Sequence, residues 1–368
     1  MDYQSGMIEP LYLTELTGGN PGIRRVAHGY ATSGTWRRVI YRAANVALEV
    51  VPALVADTLR RPTKPFRMED GVDPGADADR VALYVHYAPT GRVSGMVRAQ
   101  LALLVSLGFA IVFISNGPAI PEEDWQVVRA VCALVVRREN FGRDFGAWRE
   151  VMPEVRRRWP SPNELLLAND SVLGPIHPLT PVVLTMREGG DGLFGLTESL
   201  QGGAHLQSYF LLGRGKAVVA DMMRFLGTLY VSQSKWLLVQ MGEIRLARWM
   251  RDRGHRVAAM FGYDRVSRAA VADPAERRRL MGSHGKLGDL DRLPAAEAEA
   301  LLHEWPLNPT QHLWHVLATK FGYPFLKTEL VLRNPGRLPG VEAWREVVPA
   351  DAPCGLPALE AHLRGMQA

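Results

Sequence analysis

The chain is poor in cysteine and has no long apolar run. Its two cysteines, Cys132 and Cys354, lie far apart and lack metal-site spacing, so no disulfide framework or cysteine-ligated zinc is predicted. No stretch approaches about twenty uninterrupted apolar residues, so no membrane-spanning helix is predicted. The first ten residues do not combine a basic region with an apolar core, so no signal peptide is predicted either. Together these absences predict a cytoplasmic protein.

The short motifs of several enzyme classes are also missing. The sequence has no GxSxG, HExxH or GxGxxG, which argues against common hydrolases, metalloproteases and dinucleotide-dependent enzymes. Aromatic residues do not interleave with basic runs on any predicted strand, so nucleic acid is not an expected partner. The formal net charge of +5, from 43 Lys and Arg against 38 Asp and Glu, favours anionic partners only weakly. A solvated arginine-rich surface gives the same balance.

Composition divides the chain into three predicted regions. Residues 1–78 contain an amphipathic helical stretch, 35–59. The Pro-, Gly- and Asp-rich segment 62–79, which reaches the start of the next region, is typical of a linker. Arginines flank the helical stretch, so it either packs on the main domain or docks on a membrane surface or a partner. Residues 79–268 form the predicted central domain, and residues 269–368 a C-terminal helical extension that packs on it.

The central region has the periodicity of an α/β fold. Apolar strand-like runs alternate with segments of helical period, which predicts βαβ units and a doubly wound, mostly parallel sheet flanked by helices. Ligands of such sheets bind at the carboxyl ends of the strands. The predicted strands are 81–87, 109–115, 133–140, 163–170, 191–199, 205–213 and 255–261, and the predicted helices are 93–108, 121–132, 145–159 (which Pro153 tends to break) and 242–254.

Two segments next to strand ends carry polar side chains. The strand 163–170 leads into Asn169-Asp170-Ser171, where Asp170 is suited to hold a divalent cation with a diphosphate, or to contact a ribose. The alternative is an Asx turn before Gly-Pro. In GRDFG (142–146) the glycines permit close backbone approach, Arg143 is suited to phosphate oxygens, and Asp144 either accepts from a ligand or caps the next helix.

Glu243 and the histidines are weaker candidates. Glu243 opens a predicted helix, where it is either a general base or a first-turn acid stabilised by the helix dipole, and spacing alone favours the second role. A histidine at a strand end can act as a base or a metal ligand. A structural or surface role is nevertheless favoured for His86, His177, His205, His312 and His315.

Taken in order, these residues resemble the rhamnan synthesis protein F family of bacterial polysaccharide glycosyltransferases. The resemblance extends over residues 80–335, and NDSxxGP and HLQSYF are its more specific pieces. The similar segments are VHY (85–87), FISN (113–116), RENFGRDFGAW (138–148), LLLANDSVLGP (165–175), FGLTES (194–199), HLQSYF (205–210), NPTQHLWH (308–315) and FGYPFLKTELVLRNP (321–335).

The resemblance implies a GT-A-like fold, the nucleotide-diphospho-sugar transferase type, with a nucleotide-sugar donor such as dTDP-rhamnose. It implies Mg²⁺ or Mn²⁺ on Asp170, although the motif lacks one carboxylate of the usual Asp-x-Asp, which leaves metal dependence open. The donor-binding residues are then His86, Asn116, Asn140, Gly142, Arg143, Asp144, Asn169, Asp170 and Ser171. Residues 242–261 are similar to the unit that carries the base in inverting members, which makes Glu243 the first candidate base, with Asp191 and Glu198 as alternatives.

The expected activity is transfer of a sugar, rhamnose or another deoxyhexose, to a hydroxyl of a growing cell-surface polysaccharide or lipopolysaccharide. The expected acceptor is a glycan or a lipid-linked glycan, and the expected location is the cytoplasm at the inner face of the plasma membrane. The incomplete acidic motif favours an alternative, a non-catalytic scaffold of the same fold in a polysaccharide assembly complex. A third hypothesis is a peripheral membrane module that binds through residues 35–61.

Overall fold

The computed structural model describes residues 8–17, 46–59, 65–283 and 285–367. Its strands are β1 (Thr14–Glu15), β2 (Arg67–Asp70), β3 (Arg80–His86), β4 (Ala110–Ser115), β5 (Leu134–Arg137), β6 (Glu164–Asn169), β7 (Val172–Leu173), β8 (Gly192–Ser199), β9 (His205–Leu206), β10 (Phe210–Arg214), β11 (Val257–Phe261) and β12 (Leu326–Lys327).

The α-helices are α1 (Val51–Leu59), α2 (Gly95–Ser106), α3 (Glu122–Arg129), α4 (Arg143–Arg158), α5 (Thr180–Glu188), α6 (Lys216–Thr228), α7 (Lys235–Leu238), α8 (Arg245–Asp252), α9 (Tyr263–Ala272), α10 (Pro274–Met281), α11 (Ala295–Glu304), α12 (Pro309–His312), α13 (Trp314–Phe321), α14 (Thr328–Arg333) and α15 (Leu356–Gln367). Turns of π-helix occupy Val46–Val50 and Val239–Ile244, and 3₁₀ turns occupy Gly285–Leu287 and Val341–Val347. Among the described residues, no helix is both long and apolar enough to cross a membrane.

One large sheet has the strand order β1-β11-β8-β10-β6-β3-β4-β5-β2. The short strand β9 is not part of this order and pairs with β8. The block β6-β3-β4-β5 is parallel, as is the pair β8–β11, whereas β10 runs antiparallel to both of its neighbours. The predicted α/β class, with helices on both faces of the sheet, is confirmed. The sheet is more evenly mixed than predicted, because β1, β2 and β10 all pair antiparallel.

The central strands are buried on both faces, which explains their continuous apolar runs. In β3, Ala82 and Tyr84 pack into the core on one face, together with helices α2 and α3 and the C-terminal helices. Alternate residues of the same strand, Val81, Leu83 and Val85, pack into the core on the other face, with α4, α6 and α8. The central sheet and the C-terminal helices therefore share one core, while the exact domain limits stay a prediction.

Several elements differ from the sequence-based expectation. The predicted linker 62–79 contains β2, which adds an edge strand to β5. The predicted strand 205–213 divides into β9 and β10, and residues 207–209 between them turn toward the carboxyl edge of the sheet. Pro153 lies inside α4 without ending it, since its neighbours Val151, Met152 and Val155 are fully buried and outweigh the lost hydrogen bond. Residues 35–45 of the predicted helix 35–59 lie outside the described residues, and its described part, 46–59, is helical.

A buried carboxylate, Glu164, lies at the amino ends of the parallel strands. Its ion pair with Arg187 allows the stability of the fold to be tested without changing the carboxyl edge of the sheet. Glu164 opens β6 with 2% exposure, and the Arg187 guanidinium donates to both of its oxygens at 2.8–3.1 Å. Arg80 and Arg214 stand farther away, at 3.6 and 3.8 Å.

We expect Arg187→Met to lower the free energy of unfolding by about 2 kcal/mol, measured by urea denaturation. Removing one partner of a buried ion pair destabilises a protein by about 3–5 kcal/mol. Here the positive charges of Arg80 and Arg214 offset part of that loss. Arg157→Met is the control, because it breaks an exposed pair with Glu154 and should leave the free energy of unfolding nearly unchanged. Equal losses in the two variants would contradict this account of Glu164.

Candidate functional site

The strand order reverses at β3, which has β4 on one side and β6 on the other. Such a reversal opens a crevice at the carboxyl ends of the strands. Across it the Asp170 amide donates to the Val85 carbonyl at 3.1 Å, and the Tyr87 amide donates to Asp170 Oδ2 at 2.8 Å. The crevice continues into a cavity of about 610 Å³, called here the β3–β6 cavity.

Most of the predicted site residues meet in the β3–β6 cavity, although they come from separate parts of the sequence. The predicted residues that line it are Asn116, Asn140, Arg143, Asp144, Asn169, Asp170, Ser171 and Glu243. Residues that sequence reasoning did not single out also line it, among them Tyr87, Tyr209, Lys235, Lys327 and Arg333.

The Asn169-Asp170-Ser171 motif is held by its own hydrogen bonds. Asn169 Nδ2 donates to Asp144 Oδ2 at 2.7 Å, and Asn169 Oδ1 accepts from the amide and the hydroxyl of Ser171 at 3.1 and 2.5 Å. Burial raises the pKa of Asp144 to about 6 and that of Asp170 to about 8, against the ordinary value of 3.8. The motif is thus a rigid, partly desolvated group of oxygens at the base of the cavity.

The GRDFG loop presents Arg143 through its backbone. Gly142 has φ 70°, and a Cβ there would lie 1.8 Å from Val231 Cγ1, so glycine is required for the turn into α4. Arg143 also has a positive φ, 51°, and its side chain is exposed at the cavity. Asn116 fixes the loop: its Nδ2 donates to the Arg143 carbonyl at 3.3 Å, and its Oδ1 accepts from Arg138 Nη1 at 2.7 Å.

Glu243 lies in the π-helical turn Val239–Ile244, which widens the helix at the cavity wall. Its Oε1 accepts from the Ser208 hydroxyl, and from the Ser208 amide at 3.3 Å. Its Oε2 lies 3.6 Å from His205 Nε2, while His205 Nδ1 is 2.7 Å from the Gly203 carbonyl. The carboxylate is therefore held in one orientation beside the cavity, as a proton acceptor requires.

Lys327 is the main residue that the sequence-based prediction missed. Its Nζ donates to Ser171 Oγ at 2.9 Å and lies 5.3 Å from the centre of the Tyr209 ring. Burial lowers the pKa of Lys327, and the carboxylates of Glu243 and Asp144 partly oppose that shift. The only signal in the sequence is a lysine that directly follows the apolar run 323–326.

Four predicted residues do not line the cavity. His86 is 1% exposed and stacks on Phe113 beneath Asp170, where burial lowers its pKa to about 4. Gly142 forms the turn into α4 and has no side chain that could reach the cavity. Asp191 precedes β8 at the opposite edge of the sheet, where it is exposed and pairs with Arg214 at 3.6 Å.

Glu198 is buried away from the cavity and has a structural task. Its carboxylate accepts from the Tyr263 amide at 3.0 Å, at the start of α9, and from the Thr17 amide at 2.7 Å. Glu198 therefore joins two backbone segments, and neither it nor Asp191 is placed to receive a proton in the cavity.

The residues around Asp170 do not fit a resident divalent cation. Within the described part of the chain, no three acidic, histidine or cysteine side chains converge as metal ligands. Asp170 Oδ2 already accepts from the Tyr87 amide, Asn169 Oδ1 is taken by Ser171, and the ammonium of Lys327 is bonded to Ser171. Mg²⁺ and Mn²⁺ bind oxygen ligands that are free to coordinate them. Around Asp170 few side-chain oxygens are free, because most already take part in hydrogen bonds.

Comparison with known proteins supports the resemblance to the family. Residues 111–278 match the model of the rhamnan synthesis protein F family, so the resemblance is confirmed over that stretch. The uncharacterized protein y4gN of Sinorhizobium fredii is 28% identical over 196 residues, 51% of this chain and 50% of that protein. The virulence protein VirA of Vibrio anguillarum is 26% identical over 222 residues, 59% of this chain and 67% of that protein. The matches thus span half to two thirds of the length of these relatives.

Among solved structures, one described as a nucleotide-diphospho-sugar transferase of Desulfovibrio desulfuricans is 13% identical to this chain. It covers 65% of this chain and 98% of its own, with a TM-score of 0.32. A score this low supports no argument, so the fold class rests on the strand order and helix layers described above.

The burial of Asp170 predicts a pH-dependent stability. Its folded pKa, about 8, lies above the ordinary 3.8, so the folded protein holds this proton more tightly than the unfolded chain does. The resulting stabilisation is complete below about pH 4 and is lost as the pH rises toward 8. Asp170→Asn keeps an acceptor for the Tyr87 amide and removes the titration.

We therefore expect the free energy of unfolding of the wild type, relative to Asp170→Asn, to fall by on the order of 2–5 kcal/mol between pH 5 and pH 8.5. Urea denaturation of both proteins at several pH values measures this difference. Parallel pH curves for the two proteins would show that Asp170 titrates normally.

Proposed function

We propose that this protein is a glycosyltransferase that moves a sugar from a nucleotide-diphosphate donor to a hydroxyl of a growing cell-surface glycan. The observation that carries the proposal is the β3–β6 cavity, which collects an exposed arginine, a buried strand-end acid and an oriented glutamate, Arg143, Asp170 and Glu243. The family match over residues 111–278 supports the same class of reaction.

The donor would bind with its diphosphate at Arg143, whose guanidinium is suited to phosphate oxygens. Tyr87 is 40% exposed at the same cavity, so its ring is available for stacking with the nucleotide base. The volume of about 610 Å³ is in the range of small-molecule sites. These features support a nucleotide-sugar ligand without selecting its base or sugar.

Transfer would follow a single displacement. The acceptor oxygen forms a bond to the anomeric carbon while the bond from that carbon to the diphosphate oxygen breaks, and the diphosphate leaves with the electron pair. The acceptor proton passes to Glu243, whose orientation is fixed by Ser208. Arg143 stabilises the charge that develops on the leaving group.

The finer features of the proposal rest on the family resemblance. They are a rhamnose or other deoxyhexose donor, a polysaccharide, lipopolysaccharide or lipid-linked acceptor, and action in the cytoplasm at the inner face of the membrane. The second candidate is a non-catalytic scaffold of a polysaccharide assembly complex, which is favoured by the single carboxylate in Asn169-Asp170-Ser171.

Glu243→Gln should lower the rate of sugar transfer at least about a hundredfold, because the amide cannot accept the proton. Affinity for the donor nucleotide should be retained, since the substitution preserves shape and keeps an acceptor for Ser208. Asp191→Asn is the matched control, and its rate should equal that of the wild type. Near wild-type turnover in Glu243→Gln would remove this residue from the mechanism.

Isothermal calorimetry with UDP and dTDP separates the enzyme from the scaffold. The proposed enzyme should bind at least one of the two nucleotides and release sugar or nucleoside diphosphate from the corresponding nucleotide-sugars. If the protein binds neither nucleotide, the result favours the scaffold. If it binds a nucleotide but transfers sugar from no donor to any acceptor tried, the result favours a protein that has kept the nucleotide site and lost catalysis.

A further inference from the structure

A cationic side chain reaches the acidic motif from a distant part of the chain. Lys327 Nζ is 2.9 Å from Ser171 Oγ, and both residues line the β3–β6 cavity together with Asp170. The ammonium group therefore lies inside the cavity in which the donor diphosphate is proposed to bind.

The backbone fixes Lys327 in this place. Strand β12 pairs with β7, with Leu326 opposite Leu173 and Lys327 opposite Val172, and the Thr328 amide donates to the Ser171 carbonyl at 3.1 Å. Lys327 is thus anchored directly to the segment that follows Asp170. Its charge is set in position before any ligand arrives, which is the arrangement that makes electrostatic stabilisation effective.

The same geometry disfavours a divalent cation. The free oxygens near Asp170 are few, because Oδ2 of that residue and Oδ1 of Asn169 already accept hydrogen bonds. A divalent ion placed there would also face the ammonium of Lys327 in a partly desolvated site, where like charges repel more strongly than in water. A lysine ammonium, by contrast, is a compact point charge that binds phosphate directly.

We propose that Lys327 takes the place of a divalent cation, binding the diphosphate of the donor and stabilising it as it leaves, so that the protein needs no metal. The inference rests on the function proposed above. When the bond between the anomeric carbon and the diphosphate oxygen breaks, the electron pair stays on the diphosphate, and the acceptor proton goes to Glu243. Lys327 keeps its proton throughout and acts through its charge and hydrogen bonds.

The first test measures UDP and dTDP binding to the full chain by calorimetry, in EDTA and in MnCl₂ or MgCl₂. We expect the dissociation constant to differ by less than about twofold between EDTA and metal. Tightening of tenfold or more by either metal would overturn the inference and leave the glycosyltransferase proposal intact. Absence of nucleotide binding under every condition would instead defeat the proposed function.

The second test substitutes Lys327. Lys327→Met should weaken nucleotide binding in EDTA by about tenfold to a hundredfold, the range for a charge-assisted hydrogen bond. Lys327→Gln keeps a donor to Ser171 without the charge and should show a similar loss. Lys320→Met is the matched control: Lys320 lies outside the cavity, pairs with Asp273 at 2.8 Å, and its loss should change affinity less than about twofold.

Thermal unfolding of each variant separates lost binding from lost folding. If Lys327→Met does not fold, Lys327→Gln and the metal titration of the wild type still decide the question. Unchanged affinity in a folded, neutral variant at position 327 would overturn the role of Lys327.

Discussion

The parallel pairing of β3 with β6 is the constraint on which the site depends. Their register sets Val85 opposite Asn169, so the polar residues after each strand emerge side by side. The hydrogen bonds from Asp170 to Val85 and from Tyr87 to Asp170 then join the two strand ends. Because helices cover both faces of the sheet, this carboxyl edge is where a ligand can contact the polar residues that follow the central strands.

The cavity brings together acidic and basic side chains, and burying either kind without the other would be unfavourable. Burial raises the pKa of Asp144 and lowers that of Lys327, and each group partly offsets the shift of the other. Arg143 adds an exposed cation held by a loop in an uncommon backbone conformation. A ligand with a diphosphate and hydroxyl groups complements this mixture, since it can meet fixed cations and fixed acceptors without large rearrangement.

The family match and the cavity overlap only in part. Residues 111–278 supply Arg143, Asp170 and Glu243, whereas Tyr87 and Lys327 come from outside the matched stretch. The proposed chemistry of proton transfer therefore rests on residues inside the match. The proposed replacement of a metal rests on a residue outside it, which the C-terminal region brings in by pairing β12 with β7.

By itself the sequence determined the α/β class, most strand positions and the meeting of Arg143, Asp144 and Asn169–Ser171, since apolar runs mark strand ends and parallel order brings those ends together. It did not determine which acid faces the cavity: Asp191 directly precedes β8 and Glu198 lies near its end, but the first is at the opposite edge of the sheet and the second accepts from the Tyr263 amide. Only the tertiary structure decided that Lys327 bonds to Ser171, 156 positions earlier, because a two-residue ladder leaves no periodic signal in the sequence.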